Sequence, residues 1–157
     1  MDFSTKAFQL RAARGNDFRF AWSLYEELMK PLTEELLGRW NEPGQQQVVE
    51  MALAQEGTSI IVKDKLDVGW MQVIESPDTL YLAQLYVARP LQNRGIGTAI
   101  LRALTDKVRE RSNTLTLDVM KNNRSRLLYE RLGFEVIGKS EYKLKMQWKE
   151  TAQYSKS

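Results

Sequence analysis

A run of β-branched and aromatic residues, Thr79 to Val87, leads through Pro90 into Gln92-Asn93-Arg94-Gly95-Ile96-Gly97, and an amphipathic stretch from Thr98 to Arg111 follows at once. A strand that passes through a tight glycine turn into a long helix must fold that helix back onto its own sheet. The chain is thereby committed to helices layered on strands. On the helix this predicts, Ile100, Leu101, Leu104 and Val108 form one apolar stripe, while Arg102, Asp106, Lys107, Arg109 and Glu110 fall mostly outside it.

The flanking patterns extend this unit in both directions. Upstream, Phe8 to Ala13 alternates loosely as a first strand. Asn16 or Asp17 can cap a helix from about Phe18 to Met29, whose apolar residues Phe18, Ala21, Trp22, Tyr25, Leu28 and Met29 have helical spacing. Pro31 is expected to end it or to open a second piece through Leu37. Asn41-Glu42-Pro43-Gly44 reads as a turn and Gln45 to Gln55 as a short helix. Thr58 to Val62 and Leu66 to Ile74 read as a hairpin turned at Lys63-Asp64-Lys65, and Ser76-Pro77-Asp78 turns the chain into Thr79 to Val87. Downstream come a strand over Thr114 to Met120, a helix over Asn123 to Leu132 stopped by Gly133, a short strand over Phe134 to Ile137, and a last strand over Tyr142 to Trp148 with clean period-two alternation. Such an order predicts an α/β or α+β chain with a mixed sheet. Residues 1–150 are expected to form a single domain, with 151–157 as a flexible tail.

Composition narrows the chemistry. The 157 residues include no histidine and no cysteine. That excludes imidazole bases, thiol nucleophiles and thiolate or imidazole metal sites, so no metal is expected. Any catalysis must run on carboxylates, tyrosine, lysine, arginine, hydroxyls and the backbone. The net charge of +3 is spread without a dense basic stripe, which argues against nucleic acid as a partner. No apolar run approaches the roughly 20 residues of a membrane span, and Met1 to Lys6 lacks the pattern of an export signal. A cytoplasmic location is the expectation.

The glycine loop is built as an anion cradle. Its glycines expose backbone N–H groups, the following helix N-terminus adds partial positive charge, and Arg94 adds a cation. An ordinary strand-to-helix turn would also use these residues. A dinucleotide loop would want glycine where Ile100 stands, and a phosphate loop of the Gly-Lys-Ser/Thr type would want lysine where Thr98 stands.

Gln92, Gly95 and Gly97, preceded by Leu85-Tyr86-Val87 and Pro90, resemble the signature of the GCN5-related N-acetyltransferases. Asn123 through Phe134, ending in Tyr129-Glu130-Arg131-Leu132-Gly133-Phe134, looks like that family's next motif. The resemblance covers residues 58–148 well and the N-terminal part only by element order. It implies a mixed, mostly antiparallel central sheet of about six or seven strands flanked by helices, with a splayed strand pair at the acetyl-CoA site. It implies further that Leu85, Tyr86 and Val87 bind the pantetheine arm through their backbone. Gln92, Asn93, Arg94, Gly95, Ile96, Gly97 and Thr98 would hold the pyrophosphate, and Asn123 would hydrogen-bond the pantetheine. Tyr129 would protonate the leaving thiolate; a phenol with a pKa of about 10 is a reasonable acid for a thiolate of about 8.5 to 9. Without the flanking motif, Tyr129 reads equally as an aromatic on the buried face of its helix.

The chain departs from the family's commonest pattern at one place. Gln84 stands near the position where many relatives carry a glutamate, and an amide cannot act as a base. Glu26, Glu27, Glu34, Glu35, Glu75 and Asp78 are the candidate carboxylates, each of them also readable as a solvated surface charge. With no cysteine, direct attack in a ternary complex is expected. The four tryptophans read as core or pocket wall, though Trp40 and Tyr25 beside Glu35 would suit an amine with an apolar body.

The reading is therefore an acetyl-CoA-dependent N-acetyltransferase acting on a primary amine, with a small-molecule acceptor favoured over a protein or peptide. A regulatory module that binds acyl-CoA without turnover is the alternative of another class. A homodimer through Tyr142 to Trp148 is a further candidate arrangement.

Overall fold

The computed structural model describes residues 7–92, 95–111 and 113–150. Seven strands form one sheet in the order β1-β2-β3-β4-β5-β7-β6. They are β1 (Gln9–Ala12), β2 (Thr58–Lys63), β3 (Leu66–Glu75), β4 (Thr79–Val87), β5 (Thr114–Met120), β6 (Glu135–Lys139) and β7 (Lys143–Lys149). Every neighbouring pair is antiparallel except β4 and β5. The parallel pair is dictated by the crossover helix α3 (Ile96–Arg111), because a chain that leaves β4 through a helix re-enters the sheet in the same direction.

Each face of the sheet carries its own core. On one side α3 and α4 (Ser125–Arg131) cover Ile61, Met71, Leu80, Leu82, Leu115, Leu117 and Met146, into which Ile96, Ile100, Leu101, Leu104 and Val108 pack. On the other side α1 (Phe18–Leu37) and α2 (Glu42–Leu53) cover Ile60 and Trp70 with Ala21, Leu24, Tyr25, Val49, Ala52 and Leu53. Polar bonds fix the layers: the indole of Trp70 donates to the Ala21 carbonyl at 3.1 Å, and the Thr58 hydroxyl donates to the Ala52 carbonyl at 2.6 Å. Arg11 holds Asp17 through two bonds of 2.8 and 3.1 Å and reaches Asp67 at 3.0 Å, tying β1, the start of α1 and β3 together. That guanidinium, helped by the Arg14 backbone N–H, holds the Asp17 carboxyl below the usual carboxylate range.

Three local expectations are revised. Pro31 neither ends α1 nor opens a second helix; the helix runs unbroken to Leu37, where Gly38 closes it in the left-handed conformation. Proline has no N–H for the carbonyl four residues earlier, that of Glu27. Arg89 supplies a substitute donor from across the fold, its Nη2 lying 3.4 Å from that carbonyl oxygen. Secondly, Asn41 to Gly44 is not a separate turn but the opening of α2, with the Asn41 side chain accepting from the Gly44 N–H at 3.2 Å. Thirdly, β7 lies between β5 and β6, so its backbone is closed to strand addition, and β6 is the last strand on that side among the described residues. The hairpin turn is as expected, with Asp64 and Lys65 both at positive φ in the two-residue turn that suits twisted strands.

Candidate active site

The site is created by a failure of pairing. β4 and β5 are paired only from Thr79 with Thr114 to Leu82 with Leu117. Beyond that point β4 keeps β3 as its partner, while its β5 side stands open from Ala83 to Val87. A register shift between Gln72 and Val73 sits at the same level, opposite Ala83. It resets the alternation of β4, so that Leu82 and then Leu85 and Val87 face the α3 side while Gln84 and Tyr86 face α1. The result is a stretch of strand whose backbone polar groups are offered to something other than a strand.

Helix α1 lies across the gap and is tied to both lips. Glu27 meets Arg89 just past the end of β4, side chain to side chain at 3.8 Å as well as through its carbonyl. At the other lip the Thr33 hydroxyl lies 4.0 Å from the sulfur of Met120, and Asn122 Nδ2 donates to the Leu32 carbonyl and to Glu35, both at 3.0 Å. Between these ties a wall of aromatic rings lines the α1 side. Tyr86 packs edge-on against Tyr25 with centroids 5.2 Å apart and against Trp70 at 4.9 Å. Trp22 and Trp40 continue the wall outward, each 6.0 Å from Tyr25.

Phenols converge on the gap. The hydroxyl of Tyr86 donates to Oε1 of Gln84, so the amide standing in place of a glutamate is occupied by its strand neighbour. Burial pushes Tyr86 well above the ordinary phenol value, and Tyr25, Tyr129 and Tyr81 are all close enough to add to that shift. Tyr129 comes from α4 on the β5 side, buried against Phe134 at 5.6 Å between ring centroids. Burial raises it to about 12, which keeps its proton in place across the physiological range.

The other residues singled out in the sequence lie at the end of β4, at the start of α3 and before α4. Leu85 and Val87 lie on the open strand segment, and the side-chain amide of Gln92 donates to the Val87 carbonyl at 2.9 Å, steadying the strand end. Gly95 has φ +85° and its carbonyl accepts the Ala99 N–H at 2.9 Å, so it sets the entry into α3. Ile96 is buried, and Gly97 and Thr98 are half-buried in the first turn. Asn93 and Arg94 lie outside the described residues. Asn123 uses its side-chain oxygen to accept the Ser125 N–H at 2.9 Å, which starts α4. Its neighbour Asn122 has a buried Oδ1 with no partner. An orphan acceptor of this kind marks a place for a donor from a ligand or water.

Among the candidate carboxylates, Glu75 pairs with Arg111 at 3.5 Å at the far end of the sheet, and Asp78 lies at that end too. A shallow concavity of about 480 Å³ there, lined by Glu75, Ser76, Pro77, Arg111 and Asn113, is remote from the open strand segment. Glu26, Glu27 and Glu34 line a second open concavity of about 560 Å³ on α1, together with Ser23, Lys30 and Pro31. One carboxylate escaped the sequence reading. Asp118 is the first residue of β5 beyond its last pairing with β4, and it accepts a hydrogen bond from Tyr81 at 2.7 Å. Its signal was present: aspartate is disfavoured in strands, and Asp118 interrupts one in phase with Thr114 and Thr116. Among the described residues no group of carboxylates could hold a metal ion, and no helix is long and apolar enough to cross a membrane.

The fold and site define an acetyltransferase architecture. The family model for the "Acetyltransferase (GNAT) family" matches residues 21–134. The chain belongs to that family and is an acyltransferase. No curated protein sequence matches it. Among solved structures it is similar to the PaiA N-acetyltransferase of Thermoplasma acidophilum in complex with coenzyme A, with 16% identity and a TM-score of 0.68 over 91% of this chain and 99% of that one. It is similar also to PH1933 of Pyrococcus horikoshii OT3, with 18% identity and a TM-score of 0.70 over 92% and 99% of the two chains. Arabidopsis thaliana Naa50, in complex with the bisubstrate analogue CoA-Ac-MVNAL, matches at 19% identity with a TM-score of 0.62 over 92% and 99%. At these identities the likeness is one of fold.

Proposed function

We propose that this acyltransferase moves the acetyl group of acetyl-CoA onto a primary amine by direct attack within a ternary complex, and that the acceptor is a small molecule. The open β5 side of Ala83 to Val87 carries the reading, since a pantetheine arm is an extended chain of amides that can take the place of the missing strand. The backbone of Leu85, Tyr86 and Val87 would hold that arm and polarise the thioester carbonyl, and the α3 N-terminus from Gly95 to Thr98 would face the pyrophosphate. Asn123, whose side-chain oxygen keeps a second lone pair beside the Ser125 N–H, would hydrogen-bond the pantetheine, and the orphan oxygen of Asn122 is a further acceptor for a pantetheine N–H. Tyr129, protonated and buried beside the gap, would give its proton to the departing thiolate.

The acceptor would approach from the α1 side. The aromatic wall suits an apolar body, and the Glu26, Glu27 and Glu34 concavity has the volume of a small-molecule site. Calorimetric titration with acetyl-CoA and CoA, against NAD and ATP as controls, tests the donor. A panel of small amines and short peptides, read by mass spectrometry, tests the acceptor. Binding of acetyl-CoA with turnover of small amines is expected. Turnover of peptides alone would move the acceptor class to protein N-termini or lysines, and binding without any turnover would make the chain an acyl-CoA-binding module.

A further inference from the structure

We propose that Tyr81 and Asp118 form the proton-accepting relay for the attacking amine, doing the work that Gln84 cannot; the inference rests on the acetyl-transfer reading above. Tyr81 lies on the last paired stretch of β4, and Asp118 is the first residue of β5 past it. Their hydrogen bond of 2.7 Å therefore spans the point where the two strands part. Both side chains stand on the α1 face, opposite Leu80, Leu82, Leu117 and Val119, which face α3 and α4. That is the face from which an amine reaches a carbonyl held by the open strand.

The chemistry at each atom fits the placement. The Tyr81 hydroxyl donates to Oδ2 of Asp118, which leaves the lone pairs of its own oxygen for an N–H of the substrate. Asp118 is exposed, so a proton arriving there can leave to water. Its cross-strand partner on β7 is Lys145, which places a cation on the same face. From α1 the ionisable group bonded just past the end of β5 is Glu35, which accepts from Asn122. From β4 the facing groups are Tyr81 itself and Tyr86. Of the other carboxylates weighed above, Glu27 is paired with Arg89 and Glu35 with Asn122.

The step balances as follows. The amine nitrogen forms a bond to the thioester carbon, and the C=O π pair moves onto oxygen. An N–H proton passes to the Tyr81 oxygen as the phenolic proton moves to the Asp118 carboxylate. Collapse of the oxyanion breaks the C–S bond, and the thiolate takes the Tyr129 proton. Water then carries the proton from Asp118 to the Tyr129 phenolate, which leaves amide, CoA thiol and unchanged protein.

The test compares wild type with Asp118→Asn, Asp118→Glu and Tyr81→Phe, using acetyl-CoA and an amine the wild type acetylates. Rates are followed against pH, with CoA affinity and melting temperature measured beside them. We expect kcat/KM to fall about 10²-fold or more in Asp118→Asn and Tyr81→Phe at neutral pH. The deficit should shrink as rising pH supplies hydroxide to take the N–H proton in place of the relay, CoA affinity should hold, and Asp118→Glu should recover part of the rate. A wild-type rate and pH profile in either Asp118→Asn or Tyr81→Phe would overturn the relay. So would a loss that CoA affinity shares and that pH does not relieve, since that is the mark of a structural role. A wild type that neither binds CoA nor acetylates any amine would sink the acetyl-transfer reading instead, a distinct result.

Discussion

A β-carbon added to Gly69 would lie 2.2 Å from the carbonyl oxygen of Tyr86. No backbone tolerates that distance, so the approach of β3 to the open segment of β4 depends on glycine at this one position. Gly69→Ala must push β4 towards the gap that the pantetheine arm would fill. A stability loss of about 1–3 kcal/mol is expected from the overpacking. CoA affinity should fall with it, and denaturant titration together with calorimetry checks both. Full CoA affinity in a destabilised Gly69→Ala would show that the open segment adjusts without help from β3.

Tyr129→Phe keeps the ring against Phe134 and removes only the hydroxyl. Acetyl transfer should drop by about 10²- to 10⁴-fold, the scale of general acid–base catalysis, with CoA affinity unchanged. Unchanged turnover would reduce Tyr129 to a core aromatic.

The same phenol links stability to pH. Folding raises Tyr129 from 10.0 to about 12, so the folded state holds the proton more tightly than the unfolded chain does. Its contribution is complete below pH 10 and is lost as pH rises through 12, the sign opposite to that of a salt-bridged carboxylate. The size is on the order of 3 kcal/mol for a buried group. Tyr25 and Tyr81, also near 12, act in the same direction. Stability measured between pH 9 and 12 should fall steeply in wild type and less steeply in Tyr129→Phe. Equal slopes would mean that the hydroxyl is solvated in the folded state.

Gly95 and Gly97 should behave differently although they share one motif. Gly95 has φ +85° with open space around it, so Gly95→Ala is costly through the backbone alone, by about 1–2 kcal/mol. A β-carbon on Gly97 would meet only the Leu128 side chain at 3.5 Å, an ordinary contact. Gly97→Ala should therefore fold normally, while Gly97→Leu should crowd α4 and weaken CoA binding. Melting temperatures and CoA titrations of the three variants separate the two roles. A Gly97→Leu protein with wild-type CoA affinity would remove Gly97 from the cradle.

How much of this was legible in the sequence differs from residue to residue. The strand, glycine loop and α3 could be read because each is a local pattern, alternation followed by turn residues followed by a helical stripe. The parallel β4–β5 pair follows from that crossover. Asn123 and Asn122 show the limit of a motif: the family resemblance pointed to Asn123, whose oxygen also accepts the Ser125 N–H, while the unpartnered oxygen belongs to Asn122. Which of two adjacent amides is left with an unpartnered oxygen depends on the packing of α1 against Asn122, and no local pattern encodes it. Asp118 was passed over for another reason. Its meaning comes from where β5 loses β4 and from a hydroxyl on Tyr81, 37 positions away in the chain.

Pro31 is the clearest case of a local rule overridden from a distance, and it makes the last prediction. Inside α1 it leaves the Glu27 carbonyl without its helical donor, and Arg89 takes that place at 3.4 Å. Pro31→Ala restores the missing N–H in competition with Arg89 and removes the ring's clash with the preceding turn. Proline in a helix interior is worth about 3 kcal/mol less than alanine, and the exposed Arg89–Glu27 pair offsets only a small part of that. Stability should therefore rise, by up to about 3 kcal/mol in denaturant titration. Because Arg89 stands just before the glycine loop and Glu27 on the acceptor-side helix, the acceptor KM should shift while CoA affinity changes little. A Pro31→Ala protein no more stable than wild type would show that α1 is shaped at this point by its ties to Met120 and Asn122, with the proline merely fitted to a curve those contacts impose.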